Sequence, residues 1–323
     1  MRSLSGASTT IVAVLAIGSF ASVGCAKVGE IKAKKAFKSA NQAYQAQDYK
    51  KAAGFYEEAV AADPNLGSAY FFLGNSYDNL YKPSKKGEPE NDALLTKAVD
   101  NYQKAAEKLS ASSDPANKKL GTLSLQYLVA SYGADKLNDP AKAEPVVQKM
   151  IQLEPGEPAN YFALAKIYED AGAFEEAEKM LQMAKQAKPS DPAVYMTLAG
   201  YYNRQGRFDK TIEALEERAQ KEPNNPEAFY TIATYYWDEA YRDFKLKENE
   251  KKAYVQKGIE AVDHALQIKP DYMEALVYKN LLLRLQANLE KDTSKQQMLI
   301  KEADKLRDRA QELRKQKAAG TTP

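Results

Sequence analysis

Residues 158–191 read PANYFALAKIYEDAGAFEEAEKMLQMAKQAKPSD, and residues 192–225 read PAVYMTLAGYYNRQGRFDKTIEALEERAQKEPNN. Laid one on the other, Tyr161, Leu164, Tyr168, Gly172, Phe174, Leu181 and Pro189 recur as Tyr195, Leu198, Tyr202, Gly206, Phe208, Leu215 and Pro223, each 34 residues on. The register extends back to Pro155 and forward to Phe229, Ile232 and Tyr236. A fixed period of this length is the mark of stacked structural repeats, and it decides the fold before any single residue does. Within each copy, the apolar residues predict two short amphipathic helices. A glycine marks the turn between them and a proline stops the second.

Outward from that core the same pattern continues with interruptions. Repeat one spans roughly 33–67. Ala36, Ser39 and Ala40 stand on its first helix, and Tyr49, Ala52, Tyr56 and Ala59 on its second. Repeat two opens with Tyr70, Leu73, Gly74 and Tyr77, is interrupted by a predicted loop over 82–91, and resumes at Ala98, Tyr102 and Ala105. Repeat three carries Leu125, Leu128, Tyr132, Ala143 and Val147, with Pro145 expected in the first turn of its second helix. Repeat six begins at Phe229 and carries a second predicted insertion over 241–251. Beyond it, residues 273–287 predict one more first helix. A last helix places Leu299, Ala303, Leu306, Ala310 and Leu313 at alternating steps of four and three. Such a stripe packs on another helix, either as a cap on the end of the array or as a dimer seam. The cap is favoured, because so few heptads make a weak coiled coil alone.

The 46 basic and 44 acidic residues nearly cancel, which gives no long-range pull toward nucleic acid or an acidic membrane. One histidine and one cysteine exclude a metal site built on His or Cys clusters, and any disulfide framework within the chain. The single His264 rules out an HExxH site and reads as a solvated helix-surface residue. No phosphate-binding glycine loop, GxSxG elbow or EF-hand loop is present. Glu175, Glu176 and Glu178 form a carboxylate run, but at a helix start they favour the helix dipole. No enzyme, cofactor or metal reading follows. At the N-terminus, Arg2, an apolar run over 11–20 and small residues up to Cys25 read as an export signal. Ser22, Val23 and Gly24 before the sole cysteine resemble a bacterial lipoprotein signal, whose cysteine is acylated and becomes the new N-terminus. The usual leucine is replaced by Ser22, and an ordinary secretory signal is the alternative. With Ala26 next to the cysteine, the resemblance implies an exported protein of the cell envelope, lipid-anchored at the outer membrane.

The 34-residue repeat resembles the tetratricopeptide repeat (TPR) over roughly residues 33–283. That resemblance implies an all-α right-handed solenoid of about six helix-turn-helix repeats with C-terminal capping helices. The expected organisation is a signal peptide (1–25), a short tether (26–32), the repeat array (33–271), a helical cap (272–317) and a disordered tail (318–323). TPR proteins commonly hold a peptide or a partner protein against the first helices, on the concave face. Carried onto this chain, the implied binding positions are Phe71, Asn75, Phe162, Lys166, Asn203, Arg204, Tyr230 and Trp237. Phe71, Phe162 and Tyr230 serve equally well as packing residues between first helices, whereas Trp237 lies beyond the packing positions. The carboxylate clamp of chaperone-binding TPR domains is not matched, since only Asn75 fits it among Phe71, Asn75, Tyr127, Ala159 and Ala163. The expected function is non-catalytic protein binding. A homo-oligomer built through the last helix and a cell-wall accessory factor are the alternatives.

Overall fold

Acid or amide followed by proline starts most of the first helices. Asp114, Glu157, Asp191 and Asn225 precede Pro115, Pro158, Pro192 and Pro226, and each side chain accepts from a backbone N–H in the first turn. The proline then occupies the position where a missing N–H costs nothing. In the computed structural model, which describes residues 18–320 (with side chains from residue 27), these signals punctuate a wholly helical chain. The helices are α1 (Gly18–Gln45), α2 (Tyr49–Ala62), α3 (Gly67–Leu80), α4 (Pro89–Leu109), α5 (Pro115–Ser131), α6 (Pro140–Leu153) and α7 (Pro158–Asp170). They continue as α8 (Phe174–Ala187), α9 (Pro192–Arg204), α10 (Phe208–Lys221), α11 (Pro226–Arg242), α12 (Glu248–Ile268), α13 (Met273–Leu289) and α14 (Thr293–Ala318). No strand occurs among the described residues. The chain divides into two compact units at Pro155/Gly156, with α1–α6 in the first and α7–α14 in the second.

The turn inside a repeat needs one residue in the left-handed region. Gly172 (φ 76°) and Gly206 (φ 66°) supply it, and Asn138 (φ 52°) and Gln47 (φ 59°) do so at the matching places. The tyrosines of the repeat pattern are core residues with a polar end. Tyr195 is almost wholly buried, and its hydroxyl donates to the carbonyl of Pro189 at 2.7 Å. The Tyr201 hydroxyl donates likewise to Phe174 O at 2.7 Å, tying α9 to the preceding repeat. A buried ring with its hydroxyl satisfied combines a large apolar area with orientation. In the first unit, Gly74 lets α3 approach α4 closely. A Cβ there would stand 2.9 Å from the Tyr102 ring.

Four sequence expectations change. Pro145 lies inside α6, which starts at Pro140 with Asp139 as its cap, so the expected first-turn position is wrong by most of a turn. The insertion over 82–91 is only partly loop, since α4 begins at Pro89. Asn91 closes it by accepting from Lys82 N at 2.8 Å and donating to the Lys82 and Lys85 carbonyls at 3.1 Å. Similarly, α11 runs on to Arg242 and α12 starts at Glu248, which leaves 243–247 as coil. The added residues extend helices instead of looping out: α4 and α12 have 21 residues each, against 14 in α2, α8 and α10. Finally, α1 passes without a break through 26–32, the expected tether. Residues 1–17 of the expected signal and residues 321–323 of the expected tail lie outside the described residues, as does the side chain of Cys25. No helix among the described residues is long and apolar enough to cross a membrane.

The stripe on α14 is used inside the chain. Ala310 and Leu313 are buried with Leu276 of α13, and Leu306, Met273 and Leu266 pack against them. Arg284 of α13 adds an ion pair to Asp304 at 2.6 Å.

Candidate functional site

The first helices of the two units present different surfaces. In the first unit, Asn75 on α3 is buried. Its side-chain oxygen accepts from the Tyr44 hydroxyl of α1 and from Asn79 Nδ2 at 2.8 Å. Beside it, Lys136, in the turn between α5 and α6, reaches Asp78 of α3 at 2.6 Å, with both side chains largely buried. These residues, with Tyr81, Pro83 and Tyr127, line a cleft of about 360 Å³. Burial raises the Tyr44 hydroxyl above its ordinary range, so it stays a donor. The Tyr81 hydroxyl, also buried, has no hydrogen-bond partner among the described residues. Phe71, by contrast, is 6% exposed and packs on Phe72, Tyr102 and Tyr127 with ring centroids 5.1–6.1 Å apart. It is a packing residue.

In the second unit, Phe162 is half-buried on α7, while Lys166 is exposed and pairs with Asp170 one turn on. Arg204 of α9 holds Glu169 of α7 in a two-pronged pair at 2.8 and 3.0 Å, which lowers the Glu169 carboxyl below its ordinary range. Its neighbour Asn203 is exposed. On α11, Tyr230 and Trp237 are brought to one surface by Tyr278 of α13, which meets both rings edge-on at 5.4 and 5.7 Å. Tyr272 closes on Tyr230 at 5.3 Å. Burial first, then the neighbouring Tyr278 and Tyr272, pushes the Tyr230 hydroxyl up to about 12.

Like Tyr278 and Tyr272, two more residues that the sequence reading did not select complete this surface. Tyr241 stacks on Trp237 with centroids 5.0 Å apart and planes 8° from parallel, and it is 64% exposed. Phe244, in the coil after α11, is 85% exposed. Tyr241 stands four residues after Trp237, one turn along the same helix face. It was hidden because the helix was expected to end before it. The end of α11 is also acidic, and burial followed by crowding from Asp243, Asp238 and Asp209 raises the Glu239 carboxyl. His264 is exposed, with its ring centroid 3.9 Å from that of Phe229. Among the described residues, no group of three His, Cys, Asp or Glu could hold a metal ion.

The profile of the tetratricopeptide-repeat family matches residues 136–200, and a second profile of the same repeat matches residues 192–234. With the paired helices and the left-handed turns recurring at 138, 172 and 206, the class is decided. Residues 136–234 are tetratricopeptide repeats. Among solved structures, the chain is similar to the C-terminal part of a TPR repeat-containing protein from Cytophaga hutchinsonii. The two are 16% identical with a TM-score of 0.52, over 84% of this chain and 95% of that one. That likeness bears on the fold. Matches also include MamA from Desulfovibrio magneticus, at 14% identity and TM-score 0.40, over 59% of this chain and 96% of that one. A further match is YrrB, described as a TPR protein with an unusual peptide-binding site, at 19% identity and TM-score 0.28, over 75% and 88% of the two chains. No curated protein matches the sequence.

Proposed function

We propose that this TPR protein is a non-catalytic scaffold that holds a peptide or a partner protein against its first helices. The observation that carries the reading is the aromatic surface of Tyr230, Trp237, Tyr241 and Tyr278, extended by exposed Phe244. Tyrosine and tryptophan supply large contact areas with few torsions to freeze, and their O–H and N–H groups can donate to a bound backbone. Lys166, Asn203 and Arg204, exposed on α7 and α9 of the same unit, supply polar contacts. An exposed aromatic group of this kind marks an interaction site more often than a bare surface. The protein acts in the cell envelope, exported by residues 1–25 and lipid-anchored at the outer membrane through Cys25. Support for that location comes from the apolar run and the cysteine context of the sequence.

The test is a pull-down from detergent-solubilised native membranes with wild-type protein and a Trp237→Ala, Tyr241→Ala variant. Both side chains are partly exposed, so the variant is expected to fold. A defined protein set held by wild type and lost by the folded variant supports the reading, and retention of the same set sinks it. Labelling with a fatty-acid analogue, which should disappear in Cys25→Ser, tests the anchor separately.

A further inference from the structure

The N-terminal turns of α1 carry an excess of positive charge. Between Lys27 and Lys38 there are five lysines, Lys27, Lys32, Lys34, Lys35 and Lys38, against one glutamate, Glu30. All five lysines are exposed. Glu30 is already engaged, accepting from Lys34 at 2.6 Å. Among the described residues no carboxylate forms an ion pair with Lys27, Lys32, Lys35 or Lys38.

These residues share one side of the helix. At about 100° per residue, the lysines together with Val28 and Ile31 fall within an arc of about 160°. The opposite side is committed to the repeat. Ala33 and Ala40 are buried, and the Phe37 ring lies 5.7 Å from Tyr56 of α2 and 6.2 Å from Phe72 of α3. Gly29 brings this stretch close to the end of α2, where a Cβ would stand 2.8 Å from the Ala62 carbonyl oxygen. The basic face is therefore fixed to the first unit and points away from it. Within that face, Val28 and Ile31 are 54% and 68% exposed. Apolar side chains ringed by unpaired lysines have no partner in the fold.

We propose that this face of α1 docks on an anionic phospholipid surface. Val28 and Ile31 enter the headgroup boundary while Lys27, Lys32, Lys35 and Lys38 meet the phosphates, their stems lying along the apolar edge. Charge complementarity selects the occupant, because a cluster of free lysines near a bilayer gains from each anionic headgroup within a Debye length. The helix is continuous back through Cys25, which places the basic face directly beside the point where the chain would be anchored. Docking on the lipid surface does not require acylation. With an acyl chain it would act as the second of the two signals that stable anchoring takes.

The experiment uses the full chain with Cys25→Ser, so that acylation contributes nothing, and vesicles of phosphatidylcholine with or without phosphatidylglycerol. Expected is binding to the anionic vesicles that fades as salt rises from about 0.1 to 0.5 M. The reversal Lys27→Glu, Lys32→Glu, Lys35→Glu, Lys38→Glu should weaken it by about a hundredfold. A milder variant, Val28→Ser, Ile31→Ser, should weaken binding to anionic vesicles while keeping its salt dependence. Circular dichroism should show both variants folded, since all six side chains are exposed. Equal binding to both vesicle types would assign the contact to the apolar run over 11–20 and overturn the proposal. So would binding unchanged by the charge reversal, or equally tight binding to duplex DNA. Failure to find acylated Cys25 in cells would leave these outcomes untouched.

Discussion

Glu178 accepts from Arg207, from Lys210 at 3.0 Å and from the Tyr202 hydroxyl at 3.0 Å. Arg207 is the main cause that holds its carboxyl at about 2, against an ordinary 4.5. A carboxyl depressed in the folded state stabilises the fold above its unfolded value. That contribution fades as pH falls from about 4.5 toward 2. Glu178→Gln should therefore cost about 1–2 kcal/mol at pH 7, with the partly exposed cations discounted, and the two melting curves should converge by pH 2. Thermal unfolding across that range checks it, and a gap that is constant with pH would refute it. The same residue, in the sequence, is one of three glutamates at a helix start, where the dipole explained all three. Its partners come from α9, from the turn that follows it and from α10, and are set only by packing. At the turn, Gly206 has open space around an added Cβ, so Gly206→Ala should cost only the backbone term of about 1–2 kcal/mol. The reverse change, Gln47→Gly, should be neutral to stabilising in a denaturant titration. For Phe71 the sequence leaves binding and packing open, and it packs on Tyr127 of α5; Asn75, an implied binding position, is buried and accepts from Tyr44 of α1. Lys136, on a turn and outside any helix face, gave no signal in the sequence.

At the scale of elements, the stripe on α14 was legible as a packing face but not its partner, since a narrow apolar stripe fits any helix. The structure gives the stripe to α13. Ala310→Asp should lower the unfolding free energy by about 2–3 kcal/mol, because an unpaired carboxylate would enter the α13–α14 contact. Light scattering should find the mass of the wild-type chain independent of concentration and unchanged by this substitution. A dimer that falls apart in Ala310→Asp would return the stripe to an intermolecular seam. The insertions were legible as breaks in the repeat, because Pro83, Gly87 and Pro89 cannot continue a helix in register. Their limits were not. Pro89 and Glu248 start helices as readily as they end loops, and added helical turns satisfy backbone groups that a longer loop would leave to water.

Taken whole, each unit is stabilised by neighbour-on-neighbour contacts, so protection should be highest where a helix is covered on both sides. Tyr195, Leu198 and Tyr201 place α9 there. Hydrogen exchange should be slowest in α9 and fastest over Lys82–Gly87 and Phe244–Leu246. Equal exchange in these segments would contradict the packing. The sequence by itself determined the helix-pair repeat, its period, its turn glycines and its buried tyrosines, because these follow from local periodicity and from which residues tolerate a left-handed backbone. Only the tertiary structure decided that Tyr241 and Tyr278 join Trp237 in one surface. It also decided that Asn75 is buried and that four of the five lysines over 27–38 stand outside any ion pair, Lys34 being held by Glu30. Those depend on which faces neighbouring helices cover, and no spacing within one helix records what lies against it.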